Sequence, residues 1–249
     1  MKIFRKIRRT LIVSGKTKSY LLYAFGEIIL IVIGILIAWK INSLNEIRKN
    51  KIVELKIYQT LLEELDANAI VLDSSIANYT NNLKIIRTTI KSIGLKPDQL
   101  SDKIKEGIVN VNYKPIQLHN GAINSVNSTN KFEFIENVLL KDLIASYPNE
   151  LDSFESQEAK IKNIVINKLQ PVIEKHVSLI DILSVRDLEF KRVQSVLKPS
   201  NYMELLNSRD YQNAIVDRLL QTENQLVIAK SLKEKTQTIV VKLNNELGS

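Results

Sequence analysis

The chain contains no cysteine, and this absence excludes several kinds of chemistry. Without a thiol there is no disulfide, no thiolate nucleophile or metal ligand, and no prenylated or palmitoylated anchor. Histidine is also rare, with only His119 and His176 in the whole chain. These two residues form no zinc motif of the His-Glu-x-x-His type. A folded domain of this chain must therefore depend on its apolar core.

The reactive motifs of common enzymes are missing as well. No serine lies in a G-x-S-x-G turn, and the seven glycines form no phosphate-binding loop. The sequence therefore predicts no catalytic residue, no metal site and no cofactor. We expect a protein that is not an enzyme.

The net charge of +8 is concentrated at the start of the chain. Seven Lys and Arg residues precede Trp39, against a single acidic residue, Glu27, so residues 40–249 carry a net charge of only +2. A domain that binds nucleic acid normally carries a strongly basic surface of its own. We therefore expect no nucleic-acid partner.

One long apolar run is present, from Tyr20 to Trp39 (YLLYAFGEIILIVIGILIAW). As a helix it would be about 30 Å long, the thickness of the hydrocarbon core of a bilayer. No small-residue cleavage pattern follows the run, and more basic residues precede it than follow it closely. We expect an uncleaved signal anchor over 20–39, a cytoplasmic N-terminus and an extracytoplasmic domain over 40–249.

The segment before this span, residues 1–19, is strongly basic. In a helix its apolar residues would share one face, surrounded by the basic residues Lys2, Arg5, Lys6, Arg8 and Arg9. This pattern is typical of an amphipathic helix on the anionic cytoplasmic leaflet. A disordered basic tail that only sets the topology explains the same composition. Both interpretations stay open, and the lipid bilayer is the expected partner in each.

The carboxylate of Glu27 lies within the apolar run. At 3.6 residues per turn it shares a face with aromatic and small residues, and the full set is Tyr20, Tyr23, Glu27, Ile31, Gly34 and Ala38. A small residue at each end of Gly34-x-x-x-Ala38 lets two helix backbones approach closely. Glu27 would then hydrogen-bond at a helix contact, bend towards the basic flank, or conduct ions. We favour the helix contact, with a second copy or another membrane protein.

A long helix is predicted after the span. From Leu55 to Ile93 apolar residues recur at alternating steps of three and four, which predicts a helix over about 45–93. Gly94 and Pro97 supply a left-handed cap and a break at its end. Charged pairs that select a dimeric coiled-coil partner are missing beside these apolar positions. We therefore expect this helix to pack against helices of its own chain.

Two further long helices are predicted from similar spacing. One covers about 137–190 and should kink or restart at Pro148 and Pro171, and the other covers 209–247. The predicted fold is all-α: a transmembrane helix that continues into an elongated antiparallel bundle of three to four long helices. We expect the helices to run up, down and up from the membrane, with short helices at the distal end and the C-terminus far from the bilayer.

Two polar residues interrupt the apolar positions of the second helix. His176 lies beside Val172 and Leu179, where a core or edge histidine with a satisfied hydrogen bond is more common than a metal ligand. Glu158 would either pair with a Lys or Arg of a neighbouring helix or turn into solvent. We favour the solvated position for Glu158.

The start of the chain resembles a family of membrane proteins. IFRKIRRTLI and SYLLYAFGEIILIVIGILIAWKINSLNE are similar to the opening of an uncharacterised single-pass family of Bacteroidota, catalogued as a domain of unknown function. Its members carry a basic FFRKIR segment, a KYLLYAIGEI entry and a VIGILIALQIN exit. The matching residues are Phe4, Arg5, Lys6, Ile7, Arg8, Tyr20 to Tyr23, Gly26, Glu27, Ile28, Val32 to Ala38, Ile41 and Asn42. The resemblance implies an inner-membrane anchor with an extracytoplasmic helical domain, and it brings no known activity.

These observations predict a membrane-anchored scaffold or partner-interaction protein that self-associates through its span. The alternative is a periplasmic sensory or ligand-binding bundle. Only about 19 residues precede the span, so such a sensor would have to signal through a partner protein. A small-molecule ligand is not expected.

Overall fold

The computed structural model describes residues 17–110, 113–181, 190 and 198–248. No β-strand occurs among these residues, and the predicted all-α class is confirmed. The chain divides into two units, Met1–Glu54 and Leu55–Ser249. One long helix, α1 (Thr17–Lys91), contributes to both units.

In the first unit, the apolar part of α1 is open on all sides. The leucine, isoleucine and valine side chains between Leu21 and Trp39 are 43% to 74% exposed. Within the described residues this is the one helix long and apolar enough to cross a membrane, and none of its most apolar stretch is buried inside the protein. Since exposed apolar surface costs about 25 cal/mol per Å² in water, this part of α1 is a candidate membrane anchor.

In the second unit, α1 ends at the predicted place. The helix stops at Lys91, and Gly94 follows with φ of 85°. Glycine adopts this left-handed conformation without steric cost, so the predicted cap is confirmed. A 3₁₀ turn at Pro97–Gln99 then leads into α2 (Asp102–Val109).

The chain next returns along α1 to a short helix, α3 (Gly121–Asn127), and a 3₁₀ turn, Asn130–Phe134. Two side chains of α1 hold this return. The Asn68 amide donates to His119 O and accepts from His119 N, both at 2.7 Å. The Glu64 carboxylate accepts from the first free N–H groups of α3, those of Ala122 and Ile123, at 2.7 and 3.0 Å. Because of these bonds α3 lies beside the early turns of α1 in this unit, so the prediction that all the short helices lie at the distal end is wrong.

The second long helix is built from three pieces: α4 (Val138–Ile164), a π-helical turn (Val165–Leu169) and α5 (Gln170–His176). Pro148 lies inside α4, which continues through it. Before Pro171 the helix widens, and Gln170 N bonds to Val165 O, five residues back. Since proline has no N–H to donate and its ring crowds the preceding turn, the wider turn accommodates it.

The helix does not run on unbroken to residue 190. Val177 is extended, with φ of −129° and ψ of 132°, so α5 ends at His176. The backbone groups freed at this break find partners further along the chain. His176 O accepts from Asn201 N at 2.8 Å, and Ser178 N donates to Ser200 Oγ at 2.9 Å. Tertiary hydrogen bonds thus replace the helical ones.

The chain ends with α6 (Tyr202–Asn207) and the long helix α7 (Arg209–Gly248). The direction of α7 follows from its side-chain pairs. Along α1, Asp73 pairs with Lys233 and Arg87 with Glu223. In the same way, the pairs with α4 are Tyr147 with Thr236 and Gln157 with Gln221. Residue numbers on α7 fall as those on α1 and α4 rise, so α7 is antiparallel to both.

The helices α1 and α4 are consequently parallel to each other, and the predicted order of up, down and up is wrong. The chain runs up α1, returns through residues 92–137, runs up α4 again and descends α7. The end of α7 lies beside the start of the second unit, where Leu55 and Leu247 pack against the same apolar cluster. The prediction of a C-terminus at the far end of the bundle is therefore also wrong.

Two apolar clusters fill the second unit. The lower cluster surrounds the part of α1 between Ile57 and Tyr79 and includes Tyr58, Leu65, Tyr147, Leu232 and Leu243. The upper cluster surrounds the end of α1 and includes Ile86, Ile108, Leu169, Leu205 and Tyr211. Buried polar side chains lie between the two clusters.

Candidate functional site

The strongest candidate site is this set of polar side chains, which we call the polar layer. Its members are Tyr79, Tyr113, Gln157, Glu158, Arg218, Thr222 and Gln225. All except Tyr113 are at most 9% exposed. The layer joins α1, α4, α7 and the returning segment in the middle of the bundle.

A tyrosine holds the carboxyl group of the polar layer. The hydroxyl of Tyr79 donates to Glu158 Oε1 at 2.7 Å. Gln225 Nε2 donates to Tyr79 Oη at 3.3 Å and to Phe154 O at 3.4 Å. Glu158 is only 5% exposed, so the favoured prediction of a solvated Glu158 is wrong. Glu158 lies on the apolar face of α4 because its side chain is hydrogen-bonded inside the core.

Burial controls the protonation of these groups. Loss of solvent raises the pKa of Glu158, while hydrogen bonds from Tyr79 and Tyr113 and the charge of Arg218 act in the opposite direction. Burial and the neighbouring carboxyl group raise the pKa of Tyr113 to about 12. The pKa of Tyr79 is raised for the same two reasons. Both tyrosines therefore stay protonated and can donate hydrogen bonds at neutral pH.

The positive charge of the polar layer is Arg218. It is 6% exposed, and its Nη1 donates to Ile161 O at 3.4 Å. Burial lowers the pKa of Arg218 to about 10, against the opposing influence of Glu158, so the guanidinium remains charged at pH 7. Arg218 thus acts on Glu158 through its charge, without a direct ion pair between these two described residues.

A polar stretch of α7 signals this layer in the sequence. The buried face of α7 includes Tyr211, Ala214, Arg218, Thr222, Gln225, Ala229, Leu232 and Thr236. These residues follow one another at steps of three or four even where they are polar. The same spacing therefore predicts that Arg218 and Gln225 are buried, although neither residue is apolar.

The layer can hold or release a proton at Glu158 beside a fixed positive charge. It contains neither a serine nor a histidine that could serve as a nucleophile or base. Among the described residues, no group of three or more His, Cys, Asp or Glu side chains is arranged to hold a metal ion.

The two histidines are held at separate places in the second unit. The His176 side chain is 9% exposed, with Nδ1 3.6 Å from Glu204 Oε2, so it is an edge histidine beside a carboxylate. His119 is exposed and is held through its backbone by Asn68. The residues around them therefore differ, and they share no site.

The predicted association face of the span lies in the first unit, along α1. Tyr23 and Glu27 are half-buried, while Ile31 and Ala38 are exposed. A Cβ added to Gly34 would meet no atom within 4 Å, so this position is open to a second helix. Tyr20 lies within α1. The basic residues Lys2, Arg5, Lys6, Arg8 and Arg9 lie outside the described residues.

Comparison with other proteins finds no counterpart for this arrangement. No family model matches the chain, no curated protein matches it, and no solved structure matches it. Function is therefore inferred from the chain's own residues.

Proposed function

We propose that this protein is a non-enzymatic scaffold, anchored by one transmembrane helix and self-associating through that helix. The observation that carries the proposal is that no residue of the most apolar stretch of this helix is buried inside the protein, since a core helix of a water-soluble protein would bury that surface. Insertion into a bilayer removes the same surface from water.

The proposed orientation places the N-terminus in the cytoplasm and the second unit in the periplasm of a bacterial inner membrane. The excess of basic residues before the span supports this orientation. Similarity of the opening to the Bacteroidota single-pass family supports the same placement. The proposed partners are the bilayer, a second copy of the chain and other membrane proteins.

Self-association is proposed to use the face that contains Glu27, Gly34 and Ala38. The open space at Gly34 permits close backbone approach, and a carboxyl group at a helix contact can be satisfied by hydrogen bonding. Neighbouring turns of the same helix offer a matched control, because Leu36 lies on the opposite side at nearly the same depth.

The absence of cysteine makes a direct test simple. Single cysteines are introduced as Ala38→Cys and Leu36→Cys, and native membranes are oxidised. We expect a disulfide-linked dimer for Ala38→Cys and little for Leu36→Cys. Equal cross-linking of both variants, or none at Ala38→Cys, would contradict association through this face.

Topology is tested with the same cysteine-free background. We expect a membrane-impermeant maleimide to label exposed Ser74→Cys in spheroplasts and to leave Ser14→Cys unlabelled until the membrane is broken. Labelling in the reverse order would place the second unit in the cytoplasm. Release of the protein from membranes by alkaline carbonate would contradict the anchor itself.

The polar layer favours a second candidate function, a sensory or ligand-binding bundle that acts through a partner. Buried ionisable groups cost stability, and they are frequent where function requires them. A ligand that binds the folded state raises the melting temperature. Thermal unfolding of the full chain in detergent, measured with and without each of a set of periplasmic metabolites, tests this candidate. The same melting temperature with every metabolite as without one would count against it.

A further inference from the structure

A small cavity lies beside the polar layer, at the contact of α1, α2 and α7. Its volume is about 20 Å³, and its polar walls are Asn82, Thr89, Asn110 and Arg218. A water molecule needs roughly 10–15 Å³ of such space. The cavity is therefore large enough for one water molecule or one monatomic ion.

The polar walls of the cavity are rich in hydrogen-bond donors. Among the lining residues, the side chain of Arg218 carries a guanidinium, that of Asn82 an amide and that of Thr89 a hydroxyl. Among the described residues that line the cavity there is no aspartate or glutamate. This combination is suited to an anion and unsuited to a cation.

The described residues compensate the charge of Arg218 only in part. The bond from its Nη1 to Ile161 O is long, at 3.4 Å. Glu158 faces it from α4, although burial favours the neutral form of this carboxyl group. A buried cation with so few partners is costly, and a counter-ion at the cavity would reduce that cost.

The space itself depends on a glycine of α2. A Cβ built on Gly107 would lie 3.4 Å from Ile85 Cγ2 and 3.6 Å from Thr89 Oγ1, both on α1. Alanine at this position would thus occupy part of the cavity at ordinary contact distances. Within a helix, alanine is also favoured over glycine through backbone entropy.

We propose that this cavity binds one small inorganic anion of the size of chloride. Arg218 supplies the charge, and the side chains of Asn82 and Thr89 supply neutral donors. Binding holds α2 and the returning segment against α1 and α7. The site is independent of the membrane anchor, so its test is separate from that of the proposed function.

The test is thermal unfolding of the full chain in detergent, followed by circular dichroism, with chloride replaced stepwise by gluconate at constant ionic strength. Gluconate is too large for the cavity. We expect the melting temperature to rise by several degrees with chloride and to saturate, as for binding at one site. We expect the same saturable rise with bromide.

Two glycine variants locate the effect. Gly107→Ala occupies part of the cavity and leaves too little space for the anion, so we expect the variant to fold and to lose the chloride response. Gly121→Ala in α3 is the matched control, because its added Cβ would meet only Glu64 Oε2, at 3.7 Å, and it should keep the response. Arg218→Met should also lose the response if it folds.

Two outcomes overturn the proposal. A wild-type melting temperature that is the same in chloride and gluconate means that the cavity holds water only. A saturable response that Gly107→Ala retains means that the anion binds elsewhere.

Discussion

Replacing Tyr79 with phenylalanine removes one oxygen atom from the centre of the polar layer. The variant loses the donor 2.7 Å from Glu158 Oε1 and the acceptor 3.3 Å from Gln225 Nε2. The ring stays, so the packing against the lower cluster is unchanged. The expected loss of stability comes from hydrogen bonding alone.

The magnitude depends on the charge of Glu158. A hydrogen bond to a charged group contributes about 1.5–3 kcal/mol, and one between neutral groups contributes about 0.5–1.5 kcal/mol. Burial raises the pKa of Glu158, so the carboxyl group becomes ionised only as the pH rises through that raised value. For the two bonds together we therefore expect Tyr79→Phe to cost about 1–3 kcal/mol at low pH and about 2–4.5 kcal/mol once Glu158 is ionised.

Urea unfolding of the purified chain, followed by circular dichroism at pH 5 and pH 8, measures both values. Tyr147→Phe is the matched control, since its hydroxyl bonds to the neutral hydroxyl of Thr236 at 2.9 Å. Its cost should be about 1 kcal/mol at both pH values. If Tyr79→Phe costs no more than Tyr147→Phe at pH 8, or shows no dependence on pH, then Tyr79 does not stabilise an ionised Glu158.

Three further predictions concern charge, the returning segment and the core. Because the pKa of Glu158 is raised on folding, its carboxyl group favours the folded state below the unfolded value near 4.5 and loses that advantage as the pH rises. The stability of the wild type relative to Glu158→Gln should therefore fall between pH 4.5 and pH 8, as measured by urea unfolding; a constant difference would contradict a raised pKa. Asn68→Ala should cost about 1–3 kcal/mol and speed amide hydrogen exchange at His119, because it removes both bonds to that backbone; unchanged exchange would show that the bonds do not hold the segment. Leu140→Ala should cost about 2–5 kcal/mol because Leu140 is fully buried, whereas the adjacent Leu139→Ala, at a 56% exposed position, should cost under about 0.5 kcal/mol; similar losses in calorimetry would refute the assigned face of α4.

The helices could be predicted from sequence because their signals are local. Alternating steps of three and four residues indicate which face of α1 or α7 is buried, and Gly94 marks an end through its own backbone conformation. The break at Val177 was not predictable in this way, because the groups that bond to His176 O and Ser178 N, Asn201 N and Ser200 Oγ, are distant in sequence.

The order of the helices could not be predicted for a related reason. An apolar face requires a neighbour without specifying which helix supplies it or in which direction that helix runs. The parallel arrangement of α1 and α4 depends on the returning segment, which Asn68 and Glu64 hold through backbone atoms more than fifty positions away. Side chains that recognise backbone atoms leave no pattern in the partner's sequence.

The polar layer was missed because burial and apolar character were treated as the same property. Glu158 and Arg218 occupy buried positions and are satisfied in part by tyrosine and backbone groups. Spacing identifies such positions, whereas residue type assigns them to solvent. The spacing therefore indicated the positions of the candidate site, whereas the residue types did not indicate that these positions are buried.

The return of α7 to the start of the second unit has a mechanical consequence. Leu55 and the last turn of α7 meet at one end of the bundle, and Asn137 Nδ2 donates there to Glu246 Oε1 at 2.6 Å. A force applied between residue 55 and Gly248 would act at one end of the bundle. It would peel α7 away one turn at a time, instead of shearing whole helices past each other. Each turn breaks in succession, so the unit would yield at low force, and a tether that must bear load is better attached to the opposite end, near Gly94.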